Sequence, residues 1–196
     1  EFSRISSFQK RKIYSLERQL FSEARSSRVL TAIKMITTDD SKSMADRLAK
    51  ASRLATSYPA SVVFTLNHTR DVFVPSGWDY NGEITGIRNE YEALGDETPG
   101  VIAARRGSAV ALSTKDEHSL HLPHWAKRSG FKHGLVAPLI QGHDTTGVVY
   151  VLNTSSELPT RPEFEQFELL IGLLSTGLSD NIHASEVEIS QRFQMT

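Results

Sequence analysis

Cysteine is absent from this sequence of 196 residues. Its absence excludes disulfide bonds, thiolate metal sites, cysteine nucleophiles and chromophores attached through a thioether. Long apolar runs are also missing, since no stretch approaches the roughly 20 residues that a membrane-spanning helix needs. We therefore expect no membrane span and, because disulfides mark oxidising compartments, a cytoplasmic location.

An excess of charge of either sign is also lacking. The chain carries 22 Lys and Arg residues against 23 Asp and Glu residues, which gives a formal net charge of −1. Domains whose main role is to bind nucleic acid usually carry a clear basic excess. We therefore expect no direct nucleic-acid binding. The length fits one domain with appendages or two very small domains.

Helical patterns at both ends of the chain enclose a central region of predicted strands. Apolar spacing predicts helices over residues 4–36, 41–58 and 162 to about 194. Strands and short helices are predicted between them, the strands over 62–66, 72–74, 109–112, 132–141 and 146–152 and the helices over 99–106 and 123–129. Residues 75–99 contain repeated glycines and are predicted as loop with one short helix. Grouped strands with helices at both ends are typical of an α+β fold with an antiparallel sheet.

Several segments resemble the GAF domain family. Residues 99–110, Pro-Gly-Val-Ile-Ala-Ala-Arg-Arg-Gly-Ser-Ala-Val, are similar to that family's short helix, glycine and strand. Residues 125–139 resemble its helix leading into a strand that ends in a small residue, Pro and Leu. Residues 146–152 resemble its last strand, and residues 164–182 resemble its closing helix. The resemblance covers roughly residues 41–185 and implies a central antiparallel sheet flanked by N- and C-terminal helices.

The resemblance also implies a role. The chain would be a non-enzymatic sensory or regulatory domain of a larger signal-transduction or transcription-regulating protein, binding a small molecule. Residues 1–36 would form a signalling and dimerisation helix, residues 37–185 the sensory domain, and residues 186–196 an extension toward an output domain outside this sequence. Glu1 and Phe2 match a restriction-site junction, and the sequence ends within a helical pattern, so we expect a fragment of a longer protein.

Some ligand classes of the family are not expected here. Members that attach a bilin through cysteine, and reductases of free methionine sulfoxide that react through cysteine, need a residue that this chain lacks. The Asn-Lys…Phe…Asp-Glu signature of members that bind cyclic nucleotides is not recognisable. Domains that bind acyl-homoserine lactones have a related topology and remain an outside alternative.

Aromatic and polar side chains suggest where a small molecule would bind. In the resembled fold the ligand lies between the sheet and the variable loops, here residues 75–98 and 113–131. Aromatic walls with a few convergent polar groups suit such a site. The expected ligand-binding residues are Phe73, Trp78, Tyr80, His118, His121, Trp125, Arg128 and His133, with Arg70 and Arg88 nearby in the sequence. Phe73 and Trp125 could equally fill the core.

Histidines are clustered in one part of the sequence. His118, His121, His124 and His133 fall within a short stretch and raise the alternative of a metal or haem site. Pro123 favours a helix start that separates His124 from the two preceding histidines, and no cysteine can complete the ligand set. We expect no cofactor. Two acidic residues, Asp116 and Glu117, directly precede His118. No nucleophile or phosphate-binding motif accompanies them, so we expect no enzymatic activity.

The terminal helices are predicted to form a dimer. A helix over residues 162–194 would be roughly 50 Å long, which exceeds the roughly 30–35 Å width of a compact domain of this size. Its apolar stripe continues beyond that width, and an exposed stripe would favour aggregation of a monomer. We expect a homodimer held by a parallel helical bundle. The expected interface residues are Ile13, Leu16, Leu20, Leu174, Leu178, Ile182 and Ile189. The alternative is a structural dimerisation module without a ligand.

Overall fold

A computed structural model describes residues 27–32, 34, 36, 42–116 and 118–175. The helices are α1 (27–32), α2 (Met44–Thr56), α3 (Pro99–Arg106), α4 (His124–Arg128) and α5 (161–175), with a 3₁₀ turn at Ile87–Asn89. The strands are β1 (Ala60–Asn67), β2 (Val72–Tyr80), β3 (Glu92–Ala93), β4 (Val110–Ser113), β5 (Leu120–His121), β6 (His133–Gln141) and β7 (Asp144–Asn153). None of the described helices is long and apolar enough to cross a membrane.

The described strands form one seven-stranded sheet in the order β3-β2-β1-β7-β6-β4-β5. Neighbouring strands are antiparallel except β4 and β5, where Leu112 pairs with Leu120 in parallel. The expected antiparallel sheet is therefore wrong at this edge, and the sheet is mixed. Two residues of β5 are too few to leave a periodic pattern in the sequence. The α+β class is confirmed.

The second strand is longer than expected. Residues 75–80 continue β2 instead of forming a loop, so Trp78 lies in a strand. Gly77 misled the prediction, because repeated glycines in this segment are typical of a loop. A Cβ at Gly77 would lie 2.7 Å from the backbone oxygen of Ala45 and 2.5 Å from the nitrogen of Asp46. The glycine is therefore required by the close contact between β2 and α2.

One side of the sheet, the helix face, is covered by α1, α2 and α5. Alternate strand residues such as Val63, Val149 and Val151 pack there against Ala49 and Ala51 of α2. Small and aliphatic side chains predominate, because helices must approach the sheet closely to bury it. The core on this side is formed by Ala32, Ile36, Leu48, Ala49, Ala51, Ala55, Tyr58, Val63, Ala109, Leu135, Ala137, Leu139, Val149, Val151, Phe167, Leu170, Ile171 and Leu174.

The terminal helices are described only in part. Leu174, expected at the dimer interface, is 4% exposed and packs in the helix-face core of its own chain. This corrects its expected position: the described part of α5 exposes Leu169 and Leu173 instead. The other expected interface residues lie outside the described residues, namely Ile13, Leu16, Leu20, Leu178, Ile182 and Ile189.

Candidate functional site

The opposite side of the sheet, the aromatic face, is filled by rings from the chain itself. Trp125 is 2% exposed, and its ring centroid lies 5.7 Å from that of Phe64 and 5.4 Å from that of Tyr150. Phe73 is also buried there. Phe73 and Trp125, which were expected to line a ligand pocket, thus take the alternative position in the core. The indole nitrogen of Trp125 has no hydrogen-bond partner among the described residues.

A buried carboxylate anchors the edge of this face. Glu92 on β3 is 3% exposed and accepts hydrogen bonds from the hydroxyls of Tyr150 and Thr98, the latter at 2.8 Å. The backbone N–H groups of Gly100 and Val101, at the start of α3, also donate to it. Burial raises the pKa of Glu92, which these hydrogen bonds partly oppose. The pKa of Tyr150 is likewise raised, by burial and then by the neighbouring carboxylate.

Glu92 matters for the site because it holds the preceding segment in place. It joins β3 to the central strand β7 and to the first turn of α3, so the residues just before it are fixed against the sheet. Sequence reasoning missed this residue, since no periodic pattern marks a single buried acid. The one available signal was Gly100 in the first turn of a predicted helix: a Cβ there would overlap Glu92 Oε2 and lie 2.8 Å from the Tyr150 hydroxyl.

Two adjoining hollows lie between β2 and the segment that Glu92 anchors; together we call them the arginine groove. They share Arg88 and Asn89. The Arg70 hollow, of about 380 Å³, is lined by Arg70, Val72, Val74, Pro75, Arg88, Asn89, Glu90 and Tyr91. The Trp78 hollow, of about 460 Å³, is lined by Trp78, Gly82, Glu83, Ile84, Gly86, Ile87, Arg88 and Asn89.

Arginine side chains dominate the electrostatics of the groove. The Arg88 guanidinium lies 5.6 Å from the centroid of the Trp78 ring, a cation–π contact. Arg128 forms an ion pair with Glu90 at the rim. Within the described part of the chain, the guanidinium groups of Arg70 and Arg88 pair with no carboxylate. The groove thus combines unpaired positive charge with an aromatic ring and an aliphatic floor.

The structure brings together some of the expected site residues. Trp78 lines the groove and Arg128 reaches its rim over Gly86, while Tyr80 packs on Phe131 with ring centroids 5.2 Å apart. Arg70 and Arg88, which the sequence placed near this set, line the groove as well. These side chains come from the turn between β1 and β2, from β2, from the 3₁₀ turn and from α4, so only the fold makes them neighbours.

The histidines do not join this group. His118 and His121 are exposed on the connection between β4 and α4. His133 is buried at the start of β6, where its Nδ1 lies 2.9 Å from the carbonyl oxygen of Ser155 and its ring meets Tyr58 edge-on. Across the described residues, no group of three His, Asp or Glu side chains could hold a metal ion.

Comparison with known proteins identifies the family. The family model of the GAF domain matches residues 40–178, and the chain therefore belongs to the GAF domain family. The resemblance inferred from the sequence is confirmed. No functionally curated protein matches this chain significantly.

Solved structures share the fold at low identity. The GAF domain of a phosphoenolpyruvate-protein phosphotransferase from Acinetobacter is 15% identical, with a TM-score of 0.62 over 81% of this chain and 93% of its own. Free methionine-R-sulfoxide reductase from Neisseria meningitidis, in complex with its substrate, is 16% identical, with a TM-score of 0.62 over 84% and 91%. A phycoerythrobilin-bound GAF domain from a cyanobacterial phytochrome is 8% identical, with a TM-score of 0.62 over 82% and 99%. These likenesses concern the fold alone.

Proposed function

We propose that this GAF domain is a non-enzymatic sensor that binds a small molecule in the arginine groove and controls an output domain through its terminal helices. The observation that carries the proposal is the groove itself: unpaired guanidinium groups beside an aromatic ring, next to a sheet face already filled by side chains. GAF domains generally act as regulatory sensors. The reductase and the phytochrome domain named above both hold a small molecule.

The groove suits this role better than the interior does. Trp125 and its neighbouring rings occupy the space over the aromatic face. The two hollows, of about 380 and 460 Å³, have volumes within the roughly 300–1,000 Å³ typical of small-molecule sites. Both also combine apolar lining with a few polar groups, which such sites use for orientation.

A physical connection leads from the groove to the helices. Trp78 lies on β2, and the next residue, Asp79, accepts a 2.6 Å hydrogen bond from Arg53 of α2. Gly77 of the same strand touches the start of α2. Arg47 of α2 in turn donates to the carbonyl oxygen of Ile36, a helical residue shortly after 27–32, at 2.8 Å. A ligand that shifts β2 would therefore act on both N-terminal helices, which supports transmission through them.

Binding is tested with the two tryptophans of the chain. Trp125→Phe leaves only Trp78 as a fluorophore, and Trp78→Phe leaves only Trp125. Native mass spectrometry of freshly purified protein is expected to find a retained small molecule, one per chain. Its removal should change the emission of the Trp78-only variant and leave the Trp125-only variant nearly unchanged. A response confined to Trp125 would move the site to the interior, and a protein with nothing bound would favour the ligand-free dimerisation module.

Dimerisation through the terminal helices is part of the proposal. Leu169 on α5 is 62% exposed and Leu30 on α1 is 66% exposed, and an interface between the helices of two chains would bury both. Light scattering should report about twice the chain mass of 21.8 kDa. Leu169→Glu should shift the protein to monomer, whereas Leu158→Glu, at a 46% exposed leucine outside the helices, should not. A wild-type monomer at tens of micromolar would contradict the proposal.

A further inference from the structure

We propose that the ligand of the arginine groove is a small oxyanion, a carboxylate or phosphate carried on a planar apolar body, with the oxyanion seated in the Arg70 hollow. The inference rests on the proposed function, since it names the chemical class of the molecule that the sensor binds. It is carried by the charges of the residues that line the groove and by the contact of Arg88 with Trp78.

The charges favour an anion on one side of the groove. The residues that line the Arg70 hollow include two arginines, Arg70 and Arg88, and one acid, Glu90. Glu90 is already paired with Arg128. The Trp78 hollow is lined by a different acid, Glu83, and by Arg88, which the two hollows share. The unpaired positive charge is therefore concentrated in the Arg70 hollow.

The side chain of Arg88 and the backbone of Arg70 are each held by a contact within the chain. Arg88 is stacked on Trp78, so part of its side-chain entropy is already lost before a ligand binds. Arg70 ends the tight turn between β1 and β2. There its backbone N–H donates to the Asn67 carbonyl oxygen at 3.2 Å and approaches the Asn67 side-chain oxygen at 3.3 Å. A planar guanidinium presents paired N–H donors that match the oxygens of a carboxylate or phosphate. Both arginines line the hollow, so an oxyanion bound there can accept hydrogen bonds from either of them.

The remaining lining indicates the body of the ligand. Val72, Val74 and Pro75 of β2 form an aliphatic floor, and Tyr91 stands opposite with 64% of its surface exposed. A bare inorganic ion would leave this apolar surface in water. A planar ring attached to the oxyanion could cover it, and each square ångström of apolar surface removed from water contributes roughly 25 cal/mol.

Glu90 makes the sign of the ligand charge testable. It is the single acid among the residues that line the Arg70 hollow. Its replacement by glutamine would remove that negative charge and release Arg128 from its ion pair. The change should strengthen the binding of an anion and weaken the binding of a cation. If the Glu90–Arg128 pair had only a structural role, Glu90→Gln would change the stability of the protein. It would then have no effect on binding that depends on the charge of the ligand.

The experiment compares matched probes by isothermal titration calorimetry on the full chain. Benzoate and phenyl phosphate carry a ring and an oxyanion, benzamide is the neutral isostere, benzylamine is the cation, and inorganic phosphate lacks the ring. We expect benzoate or phenyl phosphate to bind at millimolar concentrations or better. Benzamide and benzylamine should bind at least tenfold more weakly, and added salt should weaken the anions. Inorganic phosphate that binds as well as phenyl phosphate would overturn the planar body.

Variants locate the binding. Arg70→Gln and Arg88→Gln should each weaken benzoate at least fivefold, and Glu90→Gln should strengthen it at least twofold. Arg106→Gln makes the same change of charge at a residue that lines neither hollow, and should leave binding unchanged. Equal binding of benzamide, or weaker benzoate binding by Glu90→Gln, would overturn the oxyanion. A neutral molecule retained by the purified protein would also overturn the oxyanion but would leave the sensor proposal intact. If the purified protein retained no small molecule and none of the probes bound, both the oxyanion and the sensor proposal would be contradicted.

Discussion

The two faces of the sheet are buried in different ways. Within the described residues, the helix-face core contains two aromatic rings, those of Tyr58 and Phe167. The aromatic face buries five, those of Phe64, Phe73, Trp125, Phe131 and Tyr150. Helices can lie directly on a sheet where small residues line the contact, as Ala49 and Ala51 of α2 and Gly77 of β2 do here. Short helices and connecting segments leave more space, and large side chains fill it. Because this space is taken, the hollows of the arginine groove lie at the edge of the aromatic face.

The same contrast holds for buried hydroxyls. On the aromatic face the Tyr150 hydroxyl donates to Glu92, whose other oxygen is held by Thr98. On the helix face the Tyr58 hydroxyl is buried with no hydrogen-bond partner among the described residues. Its pKa is raised, by burial first and then by Glu163. The Tyr150 hydroxyl is therefore satisfied within a polar cluster that fixes neighbouring segments, whereas the Tyr58 hydroxyl is not satisfied within the described residues.

Among the variants that test this contrast between the two faces, Gly100→Ala is expected to change the free energy of unfolding most. In an ordinary helix the change would stabilise the protein by up to about 1 kcal/mol. At this position, however, the new methyl group would overlap the Glu92 carboxylate and approach the Tyr150 hydroxyl. Overpacking costs typically about 1–3 kcal/mol, and a disturbed buried hydrogen bond adds a similar amount. We expect a net loss of about 3 kcal/mol in the free energy of unfolding, measured by urea denaturation.

The matched control is Gly172→Ala on the helix face. A Cβ at Gly172 of α5 would meet no atom within 4 Å, so helix propensity alone should act. We expect a stabilisation of about 0.5–1 kcal/mol. If both variants changed stability by the same amount and sign, the packed cluster around Glu92 would not constrain the aromatic face as inferred.

Much of the fold could be predicted from local sequence chemistry. Pro99 and Gly107 predicted the bounds of α3, because proline suits a helix start and glycine adopts the left-handed conformation that ends it; Gly107 has φ 63°. Gly77 misled the prediction because the same residue type also serves close packing, and the partner, Ala45, lies far away in sequence. Local rules therefore fail where a residue is chosen for a tertiary contact.

The site could be predicted only in part for the same reason. Arg70, Trp78 and Arg88 were singled out by residue type, and the fold brings them together at the groove. The sequence could not separate Trp78 from Trp125, since both are aromatic residues near glycine and polar residues. Burial separates them: Trp125 is a buried residue of α4 and packs in the core, and Trp78 lies at the edge of the sheet. Burial depends on the neighbouring strands, which no local pattern encodes.

Effects smaller than that of Gly100→Ala are expected from removing the two buried hydroxyls. Tyr150→Phe leaves the Glu92 carboxylate with one donor fewer in a buried site, so it should cost about 1–2 kcal/mol. Tyr58→Phe removes a hydroxyl that has no partner among the described residues, and it should be neutral or stabilising within about 0.5 kcal/mol. Both substitutions keep the ring and its packing, so the difference between them isolates the hydrogen bond. Thermal or urea unfolding of the two variants measures it directly. A Tyr58→Phe variant as destabilised as Tyr150→Phe would show that the Tyr58 hydroxyl is satisfied in solution, and the contrast between the two faces would then be one of packing alone.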